Sequence, residues 1–238
     1  MQCRRAQVIV WCSDKFYQQA NIFGTSFLDS AEYLLIYDLK TMQLALDLSD
    51  SSPIPRGEEL TSCFFNHNSQ LVISAGKDGK VRIFDIRKRD CLSSWNVSSG
   101  GQSPVVSARL SADETTIYCL TSDGVFSGWS LVQTGQRVFS HVLEDQQGPQ
   151  PEVAERNAVD RVWTRQFSLS GDGTHVLTCS ANGGTIYEFS SSEMSKTLGL
   201  KGLRGRATCT DWSSVSDCGP CLTAGTEGQI IVSTLLSQ

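Results

Sequence analysis

QLVISAGKDGKVRIFDIRKRDCLSSW, residues Gln70 to Trp95, divides into three short apolar runs separated by polar turns. Leu71 to Gly76 meets the turn Lys77-Asp78-Gly79-Lys80, Val81 to Asp85 follows, and Cys91 to Trp95 comes after Arg87-Lys88-Arg89-Asp90. Asp-Gly between β-rich runs is a strong hairpin signal, because glycine takes a positive φ at little steric cost. Upstream, Leu60-Thr61-Ser62-Cys63-Phe64-Phe65 supplies another run, ended by Asn66-His67-Asn68-Ser69. The stretch therefore predicts four antiparallel strands, the third closing on the aromatic-acid pair Phe84-Asp85.

The same pattern returns along the chain. Turn glycines Gly79, Gly124, Gly184 and Gly228 recur at intervals of about 45, about 60 and about 45 residues, against the ~40–45 of a WD-type propeller blade. The polar, proline-containing Glu144 to Asp160 accounts for the longer interval. Tyr37-Asp38 repeats the aromatic-acid ending, while Trp129-Ser130 replaces it one blade on. An all-β WD-repeat propeller is predicted, with four clear blades and a partial one, as part of a seven-bladed object. Blades are expected at 33–48, 60–95, 105–142, 162–200 and 207–235, with 1–32 a divergent partial blade and loop. Val8 to Cys12 reads as a strand and Ser13 to Ser30 as a long inserted loop. The last blade stops just after its third strand, so the chain reads as the C-terminal part of a longer protein or a truncated gene model.

Twenty basic residues against 25 acidic ones give a net charge of -5. That balance argues against nucleic acid or anionic lipid as the main partner, since both need concentrated Lys and Arg. Basic spots remain at Arg82, Arg87, Lys88 and Arg89, and at Lys201, Arg204 and Arg206, where solvated turns are the simpler reading. Five of the nine cysteines, Cys63, Cys91, Cys119, Cys179 and Cys209, sit inside strand runs, where a free thiol behaves as a small hydrophobe. Cys218-Gly219-Pro220-Cys221 has CxxC spacing, but no second ligand pair matches it, and Leu222-Thr223-Ala224 continues as strand rather than helix. It reads as a turn. No secretory leader pattern is present and no apolar stretch approaches the ~20 residues of a membrane helix, so a soluble chain in a reducing compartment is expected.

Chemistry-bearing motifs are sparse. GxSxG, P-loop and HExxH patterns are missing, His67, His141 and His175 stand apart, and the carboxylates fall mainly in turns. No catalytic, metal or cofactor residues are assigned, and an enzyme is not expected. The propellers known to bind phosphoinositides share Phe-Arg-Arg-Gly, whereas here Arg4-Arg5 precedes Ala6 and Arg87-Lys88-Arg89 lacks the flanking Phe and Gly. Candidate recognition segments are Ser13–Ser30 and Glu144–Asp160, since loops on a rigid scaffold commonly carry binding. Asp85 and Arg87 are candidate partner-binding residues, because Phe84-Asp85-Ile86-Arg87 resembles the aromatic-Asp-x-Arg box that docks propellers onto a cullin ligase adaptor. The simpler alternative has Asp85 satisfying local backbone donors and Arg87 solvated.

The segments Leu177 to Tyr187, Asp211-Trp212-Ser213-Ser214, Asp217 to Ala224 and Ser233 to Leu236 resemble the last two blades of the WD repeat-containing protein 91 family. Phe65-Asn66-His67-Asn68 and Val81 to Asp85 resemble an earlier blade of the same family. The resemblance implies a cytoplasmic, non-enzymatic scaffold, peripheral on early and late endosome membranes. Its implied partners are class III phosphatidylinositol 3-kinase complex subunits, a second WD-repeat protein and a late-endosomal Rab GTPase. It also implies early-to-late endosome conversion with restraint of the kinase, and membrane association only through those partners. The alternative function is substrate receptor of a cullin ubiquitin ligase. In that family an N-terminal helical and coiled-coil region precedes the propeller.

Overall fold

The computed structural model describes residues 6–9, 22–27, 34–38, 43–48, 60–98, 103–143, 166–180, 183–213 and 220–234. Five antiparallel sheets follow one another along the chain. The first contains β1 (Ala6–Ile9), β2 (Ile22–Phe27), β3 (Leu35–Asp38) and β4 (Gln43–Asp47). The second contains β5 (Leu60–Phe65), β6 (Leu71–Gly76), β7 (Lys80–Asp85) and β8 (Asp90–Asn96). In the third, β9 (Val105–Leu110), β10 (Thr116–Thr121), β11 (Val125–Ser130) and β12 (Arg137–Val142) pair in the same order. The fourth has β13 (Phe167–Leu169), β14 (His175–Ser180), β15 (Gly183–Phe189) and β16 (Met194–Lys201). The fifth has three described strands, β17 (Ala207–Trp212), β18 (Cys221–Gly225) and β19 (Ile230–Ser233).

Successive sheets touch through their first strands, β1 on β5, β5 on β9 and β13 on β17, which places those strands innermost. Arg109 of β9 extends that line by donating from Nε to the Phe167 carbonyl of β13 at 2.8 Å. The fourth strands lie outermost and carry exposed apolar side chains such as Leu44, Leu92, Val138 and Leu198. This is a propeller arrangement of blades.

One expectation is corrected at the N-terminal end. The segment read as an inserted loop, Ser13 to Ser30, contains strand β2 at Ile22–Phe27, paired to both β1 and β3. The first sheet is therefore four-stranded, and the sheet with three described strands is the last. Irregularities recur at matching positions. The pairing of third to fourth strand shifts register at Ile36/Tyr37, Ile83/Phe84, Gly128/Trp129 and Ile186/Tyr187. A bulge at a repeated position bends each outer strand in the same way, so it belongs to the blade design.

Each seam between blades has its own chemistry. Leu34, Ile36, Leu60 and Phe84 fill the first. Ile73, Ile83, Val105 and Trp129 fill the second, where Trp95 and Trp129 lie with ring centroids 6.1 Å apart. Phenylalanines dominate the third: Phe126 has ring neighbours Phe189 at 5.2 Å, Phe167 at 5.4 Å and Phe139 at 5.7 Å. The fourth is tightest at Gly184, where an added Cβ would come within 2.7 Å of Leu177 Cδ1 and 2.9 Å of Thr223 Cγ2. In the second, third and fourth sheets the central strands are buried on both faces, which is why they read as nearly continuous apolar runs.

In the third and fourth sheets serine, aspartate and threonine close the turn between first and second strands. Asp113 accepts from Ser111 and Thr115, and Asp172 accepts from Ser170 and from the Thr174 hydroxyl at 2.6 Å. Burial works to raise the Asp172 carboxyl, but those donors outweigh it and hold the group at about 2. Because the folded value lies below the ordinary 3.8, this contribution is complete above that pH and is lost as the pH falls through about 2. Asp113, through its bonds from Ser111 and Thr115, is lowered as well. Urea midpoints measured from pH 5 to pH 2 should therefore fall more steeply for the native chain than for Asp172→Asn. Parallel slopes would mean the Asp172 network is absent in solution.

Candidate functional site

Asp85 ends β7 and is buried, while Arg87 stands in the following turn with its side chain 69% exposed. One carboxylate oxygen of Asp85 accepts the backbone N–H of Arg87 at 2.8 Å and that of Lys88 at 3.2 Å. Such a side-chain-closed turn is what aspartate does well at a strand end. Arg87 Nε lies 3.8 Å from the same oxygen. Burial works to raise the Asp85 carboxyl, but the amides and cationic side chains of Lys88 and Arg87 outweigh it and leave it below its ordinary value. Arg89 takes a left-handed backbone, φ 57°, and completes the turn. The sequence pair is thus brought together with unequal roles. Asp85 holds the backbone, and Arg87, Lys88 and Arg89 are exposed cations on one tight turn. Chemically the arrangement can take an acidic surface of a protein partner.

Arg82 is a correction. It was expected as a solvated basic spot, but its side chain is completely buried and ion-paired with Asp78 across the β6–β7 hairpin. Asp78 also accepts the Lys80 amide at 3.2 Å. The signal was present in the strand itself, since Arg82 sits between Val81 and Ile83 in a sheet dry on both faces. A charge there must be paired.

Other candidates separate. Cys63, Cys119, Cys179 and Cys221 are buried, and burial pushes the thiols of Cys63 and Cys179 up to about 12. Cys221 opens β18, in keeping with a strand after the CxxC segment, whose Cys218 lies outside the described residues. Cys209, expected inside a packed strand, is exposed instead. His141 Nε2 lies 3.2 Å from the Ser190 carbonyl oxygen, and His175 Nδ1 lies 2.7 Å from the Thr174 hydroxyl, in different blades. No group of three or more His, Cys, Asp or Glu among the described residues could hold a metal ion. Of the recognition segments, Glu144–Asp160 lies outside the described residues, as does Ser13–Ser30 apart from β2.

No protein-family profile matches the chain. Among solved structures it is similar to the β-propeller domain of Cps50 (Swd1) from Myceliophteria thermophila, with a TM-score of 0.65 at 14% identity, covering 90% of this chain and 67% of that one. It is also similar to WD repeat-containing protein 91 of Pongo abelii, 36% identical over 210 residues, or 86% of this chain. The chain is a WD-repeat propeller protein. The Xenopus tropicalis protein of the same name is likewise 36% identical over 86% of the chain, and the Dictyostelium discoideum homolog is 24% identical over 90%. This WD-repeat chain spans 28%, 27% and 26% of those three relatives. The structural likeness bears on the fold, and the homology identifies which WD-repeat proteins this one resembles.

Proposed function

We propose that this WD-repeat chain is a non-enzymatic interaction scaffold that supports early-to-late endosome conversion and restrains the class III phosphatidylinositol 3-kinase complex through protein partners. The homology to WD repeat-containing protein 91 over 86% of the chain carries the reading. The propeller supplies a stiff support, and exposed turns such as Ile86 to Arg89 supply contact points. The mechanism is occupancy: a kinase subunit, a second WD-repeat protein or a late-endosomal Rab GTPase held on the propeller changes its activity. Early and late endosome membranes are reached through those partners, in keeping with the net charge of -5.

Proximity labelling with this chain in cells tests the reading. Enrichment of kinase-complex subunits or an endosomal Rab, with phosphatidylinositol 3-phosphate rising on depletion, is the expected result. Labelling confined to proteins unrelated to endosomes would overturn it. A second reading, substrate receptor of a cullin ligase, is favoured by the exposure of Arg87 on a turn fastened by Asp85. It requires recovery of a ligase adaptor that Arg87→Ala reduces at least about tenfold, as loss of a central arginine contact does.

A further inference from the structure

The end of β16 and its connection to β17 run Lys201-Gly202-Leu203-Arg204-Gly205-Arg206, with three cations and no acid. The whole chain carries a net charge of -5, so this stretch goes against its own composition. The blade design does not call for it either. The corresponding connection from β8 to β9, 97–104, has no charged residue. Those at 48–59 and 143–166, from β4 to β5 and from β12 to β13, hold more acids than bases.

The backbone of the connection is fastened at several points. Leu203 is buried with Cys179 and Ala207, against Ile231. The Arg204 amide donates to Gln229 Oε1 at 3.0 Å, and the Arg206 carbonyl accepts the Thr226 amide at 3.0 Å. Gly205 lies so close to the β18–β19 turn that an added Cβ would strike Thr226 Oγ1 and come within 2.9 Å of Glu227 Cγ. The cationic side chains are held by nothing comparable. Lys201, Arg204 and Arg206 are all exposed, and none forms an ion pair with a described residue. A fixed backbone that presents unneutralised cations is preorganised for an anion, because the main chain needs no further ordering when a partner arrives.

We propose that the β16–β17 connection is a docking site for a short acidic segment of a protein partner, whose carboxylates are taken by Arg204 and Arg206 with Lys201 as a flanking charge. A guanidinium presents paired N–H donors in one plane, which matches the two oxygens of a carboxylate. Charge is felt over only about 8 Å at physiological salt, so a short segment meets the cations and not the acidic remainder of the chain. A bilayer or a nucleic acid extends past the connection, over the exposed Glu227 and a chain of net charge -5, and is disfavoured. Glu227, beside Gly205, opposes the same carboxylates and weakens the site that it borders. The inference does not rest on the endosomal reading. It is also separate from the Arg87 turn, which joins β7 to β8 at the opposite end of the strands.

The test titrates the whole chain into fluorescein-labelled hexaglutamate and reads anisotropy. Saturable binding is expected, weakening at least about tenfold between about 50 and about 300 mM salt. Arg204→Glu with Arg206→Glu should weaken it at least about tenfold, and Glu227→Gln should tighten it about twofold. Both variants should keep the native urea midpoint, since the substituted side chains are exposed. The native chain is also treated with a carbodiimide, which joins an amine to a carboxylate in contact with it, and mass spectrometry should find the peptide on Lys201. If the charge reversal shifts the midpoint, that crosslink decides alone. No binding, binding that survives the reversal, looser binding in Glu227→Gln, peptide found on Lys88 in place of Lys201, or tighter association with phosphatidylserine vesicles than with the peptide would each overturn the proposal.

Discussion

Phe126→Ala should be among the most damaging single changes in the molecule, lowering unfolding stability by about 3–5 kcal/mol. Phe126 is fully buried and sits among Tyr118, Phe139, Phe167 and Phe189, so truncation empties the centre of the seam between the third and fourth blades. Two of its partners, Phe167 and Phe189, meet it edge-on at interplanar angles of 82° and 79°, a geometry that adds about 0.5–1.5 kcal/mol per pair beyond area. Phe126→Leu keeps most of the volume and should cost much less. Denaturant unfolding with hydrogen exchange checks this, with protection lost first in β10, β11, β14 and β15. A loss below about 1 kcal/mol for the alanine would mean the ring does not bridge the blades.

The Asp78–Arg82 pair gives the second large effect. Arg82 Nη1 donates to Asp78 at 3.3 Å, the second guanidinium nitrogen makes a closer contact, and both side chains are shielded from water. Asp78→Ala strands a buried cation and should cost about 3–5 kcal/mol. The double variant Asp78→Asn with Arg82→Met removes both charges, fills much of the volume, and should be clearly more stable than Asp78→Ala alone. A double-mutant cycle across the two positions reads the coupling directly. If the double variant is as unstable as the sum of the singles, the pair is not a unit.

The hairpins were the legible part of this fold. Asp78-Gly79 and Asp123-Gly124 mark turns whose glycines take φ 73° and φ 84°, and the apolar runs on either side became β6, β7, β10 and β11. Strand β2 was hidden because Ile22-Phe23-Gly24-Thr25-Ser26-Phe27 mixes glycine and hydroxyl residues, so neither strand period nor turn signal stands out. In the fourth blade the periodic glycine Gly184 lies inside β15 and not in a turn, and a Cβ on Gly183, the first residue of that strand, would collide with the Leu200 carbonyl oxygen. At the candidate site, the Asp85–Arg87 spacing was visible, but their unequal exposure follows from the backbone turn and not from residue type. Arg82 shows the reverse case, where charge alone misleads and the strand context decides. Cys209 lies in a strand, but its exposure depends on what covers the sheet, which strand periodicity does not encode.

The differing contents of the four seams also bear on how the chain folds. A string of similar blades risks pairing the wrong neighbours, and interdomain misassembly is a known failure of repeat proteins. Aliphatic groups with Phe84 in one seam, a Trp95–Trp129 contact in the next, a phenylalanine cluster in the third and the close Gly184–Thr223 approach in the fourth are poor substitutes for one another. A blade that docks out of order meets either a hole or a clash. Side-chain shape therefore acts as an address, and the order of assembly is written in the interior.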